Sequence, residues 1–86
     1  MANTKILLVD DEDLVRSMMV DALQQHGFDV TTAASVSEAL KHISSNSYDV
    51  LLSDLHMPGA GDVPTVVSAM RHANPKAVTM FKQRSL

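Results

Sequence analysis

The chain has 86 residues and a formal charge of −3; 45% of it is hydrophobic, with no Cys or Trp, one Tyr and two Phe. This length allows one small core, necessarily aliphatic and Met-rich, and small chains bury a low share of their surface. The missing cysteines exclude disulfides and thiolate metal sites, and the acidic balance argues against nucleic-acid binding. No run approaches the roughly 20 apolar residues of a membrane span, so a soluble cytoplasmic domain is expected.

Ile6 to Val9 is a short continuous apolar run, as expected of a strand buried on both faces. It ends in an acidic run, Asp10 to Asp13. Leu14, Val15, Met18, Met19, Ala22 and Leu23 then recur at helical spacing, and His26-Gly27 closes that helix with a glycine C-cap. The alternating stretch Phe28 to Thr31 predicts a second strand. Ser35 followed by Glu38 is a capping-box pattern, opening a helix with Val36, Ala39, Leu40 and Ile43 on one face.

Val50 to Leu52 is a second buried-strand run, ending at Ser53-Asp54. A loop from His56 to Gly61 leads to a third helix carrying Val63, Val66, Val67 and Met70, with Pro64 in its first turn, where a missing N–H costs little. Asn74-Pro75 ends this helix, and Ala77 to Phe81 predicts a fourth strand. The order β-α-β-α-β-α-β implies an α/β domain with a parallel sheet and helices on both faces. Met18, Met19 and Met70 are expected in the core. His26, His42 and His72 fall on separate helix faces or ends, which points to surface positions.

In open parallel sheets, ligands bind beyond the carboxyl ends of the strands, where the strand order reverses. The first buried strand runs into Asp10 and Asp11, and the third ends in Asp54. With those strands as neighbours, three carboxylates meet at one edge. They repel unless a cation or protons neutralise them, and a hard divalent ion such as Mg²⁺ suits an all-oxygen set. Glu12 and Asp13 are better read as charges at a helix start, where the dipole favours them. Asp54 has no helix directly after it, so that explanation does not extend to it.

The segments Ile6 to Asp11 (ILLVDD) and Asp54 to Pro58 (DLHMP), in this order and with a β-α-β pattern between them, resemble the signature segments of response-regulator receiver (CheY-like) domains. The resemblance runs from Lys5 to about Met80. It implies a flavodoxin-like open parallel sheet of order 2-1-3-4. It also implies that Asp54 is the phosphoacceptor, that Asp11 is a direct Mg²⁺ ligand and that Asp10 acts largely through water. The backbone carbonyl of His56 would add a further oxygen, and His56, Met57 and Pro58 would form the loop beside the phosphoryl group. The implied partners are a histidine kinase or phosphotransfer protein and an unidentified downstream protein.

The resemblance weakens toward the C-terminus. The family places a Ser or Thr at the end of the fourth strand and a Lys at the end of a fifth. Positions 81 to 83 hold no hydroxyl, Lys82 matches the lysine by type but not by place, and Ser85 is a poor match for the hydroxyl. Residues 1–86 are therefore expected to form a single receiver domain truncated after the fourth strand, lacking the fifth strand and last two helices. An open fourth-strand edge and an uncovered sheet face predict a homodimer.

Two versions remain open on this reading: a working phosphoacceptor, and a degenerate receiver acting as a non-phosphorylated protein-interaction module. Neither is an enzyme. A haloacid-dehalogenase-type phosphatase would carry a second Asp at position 56, which is His, and would need a longer chain for its cap. A dinucleotide-binding half-domain would need a Gly-rich turn after the first strand, and none is present.

Overall fold

Four strands form one parallel sheet in the order β2-β1-β3-β4. The computed structural model describes residues 3–54 and 63–82. In chain order the elements are β1 (Lys5–Val9), α1 (Asp13–Gln25), β2 (Asp29–Ala33), α2 (Val36–Ser45), β3 (Val50–Asp54), α3 (Val63–Ala73) and β4 (Val78–Lys82). The sheet order and the flavodoxin-like class agree with the expectation from sequence.

Local chemistry explains the element boundaries. Gly27 takes φ +86°, a left-handed conformation that side chains resist. There the Gly27 N–H donates to Gln24 O at 3.0 Å and the Phe28 N–H to Leu23 O at 3.2 Å, a Schellman closure of α1. At the start of α2, the Ser35 hydroxyl accepts from the Glu38 N–H at 3.2 Å. The Glu38 carboxylate reaches back to the Ala34 N–H at 2.8 Å, one residue earlier than in the standard box. Asp49 fixes the entry to β3: its carboxylate accepts from the Lys5 N–H at 2.9 Å, and its carbonyl accepts from the Val78 N–H at 2.9 Å.

Right-handed crossovers in this strand order put α1 on one face of the sheet and α2 and α3 on the other. The main core lies under α2 and α3. Leu7, Val9 and Leu51 from the sheet pack there with Val36, Ala39, Ile43, Val66 and Met70. Fully burying a side chain of this kind contributes roughly 1.5–3 kcal/mol. All four apolar residues of the first predicted run, Ile6 to Val9, are buried.

The α1 face differs from the expectation. No residue of α1 is buried. Met70 is in the core as expected, but Met18 is 63% exposed and Leu14 73% exposed. The periodicity of α1 is real, yet the helix packs chiefly on β2 and leaves part of its apolar stripe without a covering layer among the described residues. The same face of the sheet opens progressively toward β4. Ile6, Val50 and Val78 are register partners, as are Leu8, Leu52 and Met80. In both rows the β1 residue is buried, the β3 residue half-buried and the β4 residue exposed.

Candidate acidic site at the carboxyl ends of β1 and β3

The ladder between β1 and β2 extends one residue past β1, because the Asp10 N–H donates to Ala33 O at 3.0 Å. This holds Asp10 at the carboxyl edge of the sheet, wholly buried at 0% exposure. Its Oδ1 accepts from the Glu12 N–H at 2.9 Å, and its carbonyl accepts from Arg16 Nη1 at 2.8 Å. Arg16 also pairs with Asp13 at 2.6 Å across one helical turn. Asp13 thus serves the first turn of α1, and Glu12 is the N-cap residue, as their sequence positions predict.

β1 and β3 are direct neighbours, so the end of β3 brings Asp54 alongside. Asp54 is 1% exposed. The Ser53 hydroxyl donates to the Asp54 carbonyl at 3.1 Å. Asp10, Asp11 and Asp54 each present a carboxylate oxygen within 4.8 Å of the others. The structure therefore brings together the three acids singled out from sequence. His56, Met57 and Pro58, with the His56 carbonyl, lie outside the described residues, as do Gly61 and Ser85.

Lys82 does not behave as its sequence position implied. β4 runs one residue further than predicted and pairs Lys82 with Asp54 in the β3–β4 register. The lysine ammonium donates to Asp10 Oδ2 at 3.2 Å, as an ion pair with a carboxylate that is fully buried. A lysine judged misplaced by analogy with a fifth strand thus reaches the same pocket from the fourth. Arg16 was also missed, although its spacing from Asp13 was legible as an i, i+3 pair.

The electrostatics define what the pocket can hold. Two like charges 4.8 Å apart repel by about 3 kcal/mol at an effective dielectric near 20. Lys82 offsets one of three negative charges. Asp11 Oδ1 is buried and has no hydrogen-bond partner among the described residues. An all-oxygen donor set with surplus negative charge and an orphaned buried oxygen fits a hard divalent cation, and Mg²⁺ in particular.

A family model for the response regulator receiver domain matches residues 6–82. The chain belongs to the response regulator receiver family. This receiver is 40% identical over 78 residues to the sensor kinase CckA of Brucella abortus, covering 88% of the chain and 8% of that protein. Its structure resembles the Thermotoga maritima response regulator TrrA, crystallised in complex with Mg²⁺-BeF. The TM-score is 0.82 at 32% identity, over 93% of this chain and 69% of that one. The Vibrio cholerae chemotaxis protein CheY4 gives a TM-score of 0.84 at 33% identity, over 93% of this chain and 68% of that one. Among the first curated relatives the receiver spans only 8% to 35% of their lengths. Receiver domains are signalling modules of two-component systems that bind Mg²⁺ at an acidic pocket and interact with histidine kinases or phosphotransfer proteins.

Proposed function

We propose that this receiver accepts a phosphoryl group on Asp54, in a Mg²⁺-dependent reaction, from a histidine kinase or phosphotransfer protein. The observation that carries the reading is the convergence of Asp10, Asp11 and Asp54 at the carboxyl ends of two neighbouring strands. A carboxylate oxygen of Asp54 attacks phosphorus, the bond to the donor nitrogen breaks, and the departing imidazole keeps the electron pair and takes up a proton. Asp10 and Asp11 would hold the metal ion, Asp10 largely through water. The ion, when bound, neutralises charge on the phosphoryl oxygens. The described part of the pocket supplies no hydroxyl at the end of β4, where Lys82 stands instead.

The product is an acyl phosphate that passes a signal on, so the chain acts as a signalling module rather than as an enzyme. The cysteine-free composition suits a reducing cytoplasm, where such donors work. No helix among the described residues is long and apolar enough to cross a membrane.

A homodimer through β4 and the adjoining sheet face is part of this reading. Val78, Met80 and Phe81 are exposed on β4, whose outer edge pairs with no strand among the described residues. A labelled phosphoryl donor tests the central reaction. Mg²⁺-dependent incorporation should be lost in Asp54→Asn and released by hydroxylamine, as for an acyl phosphate. Incorporation that survives in Asp54→Asn would overturn the assignment.

A further inference from the structure

We infer that Lys82 is a tethered cation that competes with the divalent metal ion for Asp10, and so sets how readily this pocket takes its metal. The inference rests on the acidic pocket being a metal site and adds what regulates it. Three observations support it. The Lys82 ammonium lies 3.2 Å from Asp10 Oδ2, while Oδ1 of the same carboxylate is already used by the Glu12 N–H at 2.9 Å. Each oxygen of Asp10 thus already carries one contact, and a cation or its water that approaches this carboxylate meets the lysine's positive charge on Oδ2. The Asp54↔Lys82 register holds the lysine backbone beside the pocket whether or not its ammonium is bound there.

The lysine side chain is also 23% exposed, whereas that of Asp10 is 0% exposed. Lysine carries its charge on a flexible four-carbon stem, so the ammonium can withdraw to solvent while the carboxylate cannot. Charge counting points the same way. Asp10, Asp11 and Asp54 with Lys82 in place leave less negative charge to attract a dication than the three carboxylates alone. Removing the ammonium should strengthen metal binding, and replacing it with another long cationic side chain should not.

The test is Mg²⁺ affinity of the full chain, measured by titration calorimetry without any phosphoryl donor. Lys82→Met should bind Mg²⁺ roughly fivefold tighter or better, and Lys82→Arg should remain close to the parent. Equal or weaker binding by folded Lys82→Met overturns the inference while leaving the metal site standing. Absence of binding in both parent and variant overturns the metal site and the inference with it. A second measurement avoids dependence on a variant that fails to fold. In the parent with ¹⁵N,¹³C-labelled lysine, Mg²⁺ should shift the Lys82 side-chain resonances toward those of a solvent-exposed ammonium, saturating with the calorimetric affinity. Lys82 signals that stay unchanged while the metal binds would show that the ammonium is not displaced, and the inference would fall.

Discussion

Lys82 stands opposite Asp54 in the β3–β4 register and places its ammonium 3.2 Å from Asp10 just past the end of β1, so one side chain from β4 reaches across β3 to a carboxylate two strands away. The relationship depends on register. Side chains alternate between sheet faces, so a one-residue slip of β4 would turn Lys82 toward α3 and bring Phe81 to the pocket edge. The lysine is therefore held by the same backbone pairing that builds the sheet. Its cost in desolvation is limited, because the lysine side chain keeps partial access to water while that of Asp10 is closed off.

Crowding three carboxylates should make the metal-free protein less stable than it could be. Asp11→Asn removes one negative charge at a buried oxygen with no hydrogen-bond partner among the described residues. The metal-free variant should be more stable than the parent by about 1 kcal/mol. Mg²⁺ should raise the thermal midpoint of the parent, since a ligand that binds only the folded state stabilises it, and should have little effect on the variant. Thermal unfolding followed by circular dichroism, in chelator and then in excess Mg²⁺, checks both parts. A metal-free Asp11→Asn protein less stable than the parent would contradict the crowding argument.

Two of the three methionines assigned to the core from sequence should now separate. Met70, on the inner face of α3, is fully buried in the core, so Met70→Ala should cost about 2–5 kcal/mol, enough to unfold much of a small domain. Met18 is 63% exposed, and Met18→Ala should stay within about 0.5 kcal/mol of the parent. Urea unfolding of the two variants beside the parent provides the comparison. Similar losses at both positions would mean that α1 is covered in solution by a layer the described residues do not show.

Much of the fold was legible because each element carries its own local signal. Ile6 to Val9 and Val50 to Leu52 announce strands, Ser35 with Glu38 announces a helix start, and Gly27 a helix end. The acids were legible because two strands end in them, and parallel topology fixes where strand ends meet. Lys82 was not, because its role depends on how far β4 runs and on its register with β3, and neither quantity is written in local spacing. The exposure of Met18 was not legible either. Helical periodicity shows that a helix has an apolar face, but not whether another layer lies against it.

The exposed row on β4 predicts self-association. Sedimentation velocity should show a dimer forming as concentration rises through the micromolar range. Met80→Lys, which places a charge on the exposed edge strand, should shift the protein toward monomer. A parent that sediments as a monomer at every concentration would remove the dimer from the account.

The central claim, phosphorylation of Asp54, is tested most directly by intact-protein mass after incubation with a small phosphoryl donor and Mg²⁺, beside Asp54→Asn and a chelator control. The account predicts one added phosphoryl group in the parent with Mg²⁺ and none in the other two samples. A folded parent that gains no mass, or an Asp54→Asn protein that gains as much as the parent, would contradict it.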